Sequence, residues 1–175
     1  MQNRFSCLAA AALGILALGP AMAQNSTANR LTTGDSTFAD AAARGGLAEV
    51  KLGELAQTHA ASQAVKNFGQ RMITDHTKAN DNLKAVAGKE GITLPSAMDS
   101  KDQATYDRLS KLNGVQFDRD YMADMVKDHK VDIAAFQHEA DDGSNPGLKN
   151  FASQTLPVLR EHLSLAEQTD SQVKK

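Results

Sequence analysis

The chain has 175 residues, 19 Lys+Arg against 21 Asp+Glu, no Trp and one Cys, a length suited to one domain with its own core. A formal charge of −2 excludes the basic face that nucleic acid requires, so no nucleic-acid partner is expected. Few aromatic residues and abundant Ala favour helices.

Residues 1–23 read as a cleavable signal peptide. Arg4 supplies the positive start, Leu8 to Leu18 an apolar run broken by Gly14, and Ala21-Met22-Ala23 a small-x-small cleavage site. That run is too short to span a bilayer stably, so no membrane span is expected after cleavage. The mature chain then starts at Gln24 in the periplasm, with a retained anchor or secretion as the alternatives. Cys7 lies in the removed part, which leaves no disulfide, thiolate ligand or cysteine nucleophile. Loss of Arg4 leaves 18 basic residues against 21 acidic ones, a mild −3. Residues 24–34 are polar and small and read as a disordered leader, 35–170 as the domain, and 171–175 as a tail.

Asp35-Ser36 is a capping signal for a first helix with Phe38, Ala42, Gly45, Glu49, Leu52 and Ala56 on one stripe. Ser62 is placed to cap a second, with Val65, Phe68, Met72, His76, Ala79 and Leu83 in line; Gly88 and Gly91 end it and Pro95 stops its continuation. Ser100 opens a shorter helix holding Tyr106, Leu109 and Leu112, stopped by Asn113-Gly114. A third long helix carries Phe117, Tyr121, Met125, His129, Ile133 and Phe136 up to Asp141-Asp142-Gly143. Asn145-Pro146 starts the fourth, with Leu148, Phe151, Thr155, Leu159, His162 and Ala166. Pro157 removes a backbone hydrogen bond within it and should kink it.

No stretch alternates with period two long enough for a strand. The pattern predicts an all-α four-helix bundle: two antiparallel hairpins joined by a long connection, Gly88 to Val115, that carries the short helix. If that connection travels back along the bundle, the second and third long helices run parallel.

Each stripe then contains one polar residue able to bind a metal: Glu49, His76, His129 and His162. Glu49 precedes the first turn by about twelve residues and His76 follows it by about fifteen; His129 and His162 flank the second turn by about fifteen and eighteen, at about 1.5 Å each. The four groups are therefore expected near mid-bundle. Three imidazoles and a carboxylate suit one divalent transition metal, with Zn, Cu, Mn or Fe as candidates. The competing reading is a structural Glu–His network that specifies the fold, since buried polar groups must find partners.

Asp75, Asp128 and Glu161 each precede a histidine by one residue and so turn about 100° away from it. They either hold a ring nitrogen of a neighbouring helix's histidine or line the solvated edge. Met72 and Met125 lie one turn before their histidines, as core packing or, alternatively, as copper ligands. His59 and His138 fall near helix ends and are expected to be exposed.

Several spaced motifs carry a family likeness: Phe38 with Ala41-Ala42, Gly46-x-x-Glu49-Val50-x-Leu52-Gly53, Met72-x-x-Asp75-His76, Phe117-Asp118-x-x-Tyr121-Met122 with His129, and Leu156-Pro157-x-Leu159-x-x-His162. Together they resemble DUF4142, exported bacterial proteins of unknown function grouped with the ferritin-like bundles, from about Phe38 to about Ala166. The resemblance implies a ferritin-like fold and export, and no activity. Ferritin-like di-iron sites use Glu-x-x-His on two helices. Here Ile73, Val126 and Leu159 stand three before the histidines, which disfavours a di-iron oxidase. The expected function is metal handling or protection against envelope stress. The alternative is a non-metal structural or interaction bundle, with a protein partner or a homodimer left open, and no enzyme signature is visible.

Overall fold

The computed structural model describes residues 31–175, so the expected signal peptide and most of the expected leader lie outside the described residues. Five helices follow in order: α1 (Thr33–His59), α2 (Gln63–Glu90), α3 (Ser100–Leu109), α4 (Gly114–Asp142) and α5 (Pro146–Val173). Among the described residues there is no strand, and no helix is long and apolar enough to cross a membrane.

The first helix starts earlier than its cap signal suggested. Thr32 is the N-cap, and Asp35 closes a capping box on it: Thr32 Oγ1 accepts from the Asp35 amide at 3.2 Å while Asp35 Oδ2 accepts from the Thr32 amide at 2.7 Å. Two of the amides that a helix start leaves unpaired are thereby satisfied, which neither Asp35 nor Ser36 alone as a cap would achieve. Gly88 stays inside α2. The stop is Gly91, whose φ of 69° brings the chain round so that the Ile92 amide reaches Ala87 O at 2.9 Å. Asn145 caps α5 as expected, accepting from the Leu148 amide at 3.0 Å, and α5 continues through Pro157 as one helix.

α1 packs on α2 and α4, and α5 packs on α4 and α2. A backbone bridge between Ala60 and Gly114 sets the end of α1 beside the start of α4. At the opposite end Asn145 Nδ2 donates to Glu90 Oε2 at 2.9 Å, setting the end of α2 beside the start of α5. Neighbouring long helices are therefore antiparallel, and α2 and α4 run parallel across the diagonal. Residues 91–113 return along the side of the molecule, with α3 laid on α1 and α4.

Two buried aspartates tie the hairpins together. Asp118 of α4 accepts from the Ala61 and Ser62 amides at 3.1 and 2.9 Å, at the α1–α2 turn. Asp35 of α1 accepts from the Ser144 and Asn145 amides at 2.8 and 3.1 Å, at the α4–α5 turn. Ser62 is the N-cap of α2 by position, yet its hydroxyl makes no capping bond; the carboxylate of a different hairpin engages its amide instead.

The long helices approach closely where α1 meets α2. A Cβ on Gly53 would lie 2.6 Å from Gly69 O, and one on Gly69 would lie 2.7 Å from Ala56 Cβ. The core itself is in two parts. One cluster gathers Leu52, Leu55, Val65, Phe68, Met72, Phe117, Tyr121 and Met125 with their neighbours, and the other Phe38, Leu83, Phe136, Leu148, Phe151 and Leu159. Between them lie the buried polar side chains Glu49, His76, His129 and His162.

Candidate metal centre

The helical period places His76, His129 and His162 on the inward stripes of α2, α4 and α5, and all three are buried. Their ring centroids are 5.9 Å (His76–His129), 5.4 Å (His76–His162) and 5.4 Å (His129–His162) apart. One nitrogen from each ring lies within 4.8 Å of the other two. Three nitrogens around a tetrahedral ion at about 2.1 Å would be about 3.4 Å apart, so small ring movements would close the set.

The tautomers follow from the partners. His129 Nδ1 lies 2.9 Å from Met125 O, and a carbonyl can only accept, so Nδ1 carries the hydrogen and Nε2 the lone pair. His162 Nε2 lies 2.8 Å from Asp75 Oδ2, so that nitrogen donates and Nδ1 is left as an acceptor. His129 Nε2, His162 Nδ1 and His76 Nε2 are buried with no hydrogen-bond partner. Burial, reinforced by the neighbouring imidazoles, pushes His76 down to about 3 and His129 to about 4. His162 is also lowered by burial, against the pull of Asp75. At neutral pH the three rings are uncharged, the form in which imidazole binds metal.

Asp75 thus holds a ring nitrogen of another helix, the first of the two roles considered for it. Its carboxyl stays below the usual range: burial raises it, but the bonds from His162 and Arg71 prevail. Arg71 also donates to Glu161 Oε2 at 3.0 Å, which leaves Glu161 on the exposed edge, outside the triad. Met72 and Met125 are packed in the apolar cluster; Met125 serves the site through its carbonyl. His59 differs from its expected exposure. Its Nδ1 lies 2.7 Å from Leu112 O and its ring 5.6 Å from that of Phe117, because the connecting segment covers the end of α1. His138 is exposed beside Asp142.

Glu49 does not join the imidazoles as the height estimate suggested. It is fully buried, and its Oε1 lies 3.8 Å from His129 Nδ1, the nitrogen already given to Met125 O. It groups instead with Asp128 and Asp132, one carboxylate oxygen of each within 4.8 Å of the others. Asp128 and Asp132 are one turn apart on the flank of α4 that faces α1, about 100° and 60° round from His129 on the same side. Height along a helix was legible in the sequence; that rotation decides the partner. The Asp128-x-x-x-Asp132 spacing was the available signal for this group, and Asp132 was not among the expected site residues. Asp35, Asp118 and Arg71 were likewise missed as a tie at each hairpin turn and as a support for Asp75.

Fold and site together define an all-helical protein with a buried three-imidazole layer between two apolar half-cores. The chain belongs to the family described as "Domain of unknown function (DUF4142)", whose model matches residues 20–169. Among solved structures it is similar to the crystal structure of a DUF305 fragment from Deinococcus radiodurans, with a TM-score of 0.71 over 81% of this chain and 98% of that one. At 15% identity that likeness speaks for the fold alone. No curated protein matches the chain.

Proposed function

We propose that the protein is an exported, periplasmic, ferritin-like four-helix bundle that binds one divalent transition metal through His76, His129 and His162. The observation that carries this reading is the set of three unpartnered, buried imidazole nitrogens on three helices. Uncharged lone pairs gathered without donors are unfavourable by themselves, and an ion satisfies all three at once. Three nitrogen donors suit Zn, Cu or Fe and leave a coordination position for water or a small ligand. Asp75 and Met125 O would hold two of the rings from behind, as such partners do around bound metals. A role in metal handling or envelope protection fits a buried three-imidazole site of this kind.

The test uses protein purified without chelators, with metal content and melting temperature measured with and without Zn, Cu, Mn and Fe(II). Wild type should carry or take up one equivalent of Zn, Cu or Fe(II) at the imidazoles and melt higher with it, because a ligand of the folded state stabilises by mass action. His76→Ala and His129→Ala should lose both effects. A wild-type melting point indifferent to every ion would favour the structural network instead.

A further inference from the structure

The carboxylates beside the imidazole layer form a group of their own. Glu49 is 0% exposed, and neither oxygen meets a fixed N–H or O–H donor; the group it contacts is the Asp128 carboxyl, with which it can only share a proton. A buried carboxylate without a donor is among the costliest arrangements a core can hold. Its oxygens are turned toward Asp128 and Asp132 of α4, and the three residues each bring an oxygen within 4.8 Å of the other two. Oxygens grouped within that limit can reach one Ca2+, which holds its ligands at about 2.3–2.6 Å.

We propose that Glu49, Asp128 and Asp132 form a second cation site, separate from the three imidazoles, that takes a hard divalent cation such as Ca2+ or Mn2+. The donor set is all oxygen, the chemistry that suits Ca, Mg and Mn, whereas the imidazole layer suits Zn, Cu and Fe. The two groups lie on different sides of one ring: His129 presents Nδ1 toward Glu49 Oε1 and leaves Nε2 for the other histidines. Asp128 also borders a surface cleft of about 80 Å³ between α1, α3 and α4, together with Asp102, Asp124 and Lys101.

Without a cation the three acids oppose one another. Like charges buried this close repel, and no fixed donor offsets them at Glu49. A divalent ion among the three oxygens would offset that repulsion. This site does not depend on the imidazole centre being a metal site, and the two can fail separately.

The experiment is Mn2+ uptake by chelator-stripped protein, followed by the electron paramagnetic resonance signal of free Mn2+, with Ca2+ as competitor. Wild type, Asp128→Asn, Asp132→Asn and His162→Ala are compared, with helix content checked by circular dichroism. Wild type should bind Mn2+ and release it to Ca2+. Both Asn variants should bind at least tenfold more weakly while keeping wild-type Zn2+ uptake. His162→Ala should keep the Ca2+-displaceable Mn2+. The proposal is overturned if wild type takes up no Mn2+, if neither Asn variant weakens uptake, or if His162→Ala abolishes it. Should one Asn variant fail to fold, the other and the wild-type titration still decide.

Discussion

His162 Nε2 donates to Asp75 Oδ2 across the α2–α5 interface at 2.8 Å, and this single bond leaves His162 Nδ1 as a bare acceptor beside two other imidazoles. Asp75 is in turn gripped by Arg71, so a line of charge runs from Glu161 at the surface to the buried ring. If this line orients His162 for an ion, Asp75→Ala should weaken Zn2+ binding about 10–100-fold. Competition against a chromophoric chelator measures it. An affinity within twofold of wild type would show that Asp75 is only half of a structural pair.

The histidines also make stability depend on pH. His76 is held at about 3 in the folded chain against 6.5 for an unburied group, so between these values the unfolded state binds more protons. Its contribution is fully present above about pH 6.5 and is lost as pH falls toward 3, at no more than about 1.4 kcal/mol per pH unit. Glu49 and Asp132 change in the opposite direction, since their folded values are raised. The informative quantity is therefore a difference. The stability of metal-free wild type minus that of His76→Gln should rise from pH 4.5 to pH 6.5 in urea titrations, and a flat difference would mean that His76 is not buried in its neutral form.

Gly53 and Gly69 let α1 and α2 touch backbone to backbone. In an open helix Gly→Ala stabilises by about 1 kcal/mol. Here the new methyl would meet Gly69 O at 2.6 Å, so Gly53→Ala should instead destabilise by about 1–3 kcal/mol. The sign alone, read from a denaturant midpoint, decides whether this close approach exists.

Asp35 is 1% exposed and accepts from the Thr32 hydroxyl and amide and from the Ser144 and Asn145 amides. Burial raises its carboxyl, but these bonds outweigh it and hold the group at about 2. Its stabilisation is therefore present above the unfolded value of about 3.9 and lost as pH falls toward 2. Asp35→Ala leaves buried amides without an acceptor and should cost about 2–4 kcal/mol at pH 7, with Asp118→Ala similar in sign. Equilibrium unfolding checks both, and a loss below about 0.5 kcal/mol would remove Asp35 from its role as a tie between hairpins.

Local chemistry determined much of this protein from the sequence alone. The spacing of Phe68, Met72 and His76, or of Tyr121, Met125 and His129, sets a helix and its inward face because the 3.6-residue period is a property of the chain itself. The stop at Gly91 and the start at Asn145-Pro146 were legible for the same reason. What only the tertiary structure decided is which polar groups meet. Glu49 and His129 sit at similar heights, yet the rotation of α1 against α4 turns Glu49 toward Asp128 and Asp132, while α2 and α5 bring His76 and His162 to the other side of the His129 ring. Rotation about a helix axis is set by how whole faces pack, through contacts between residues far apart in the chain, and no local pattern contains it.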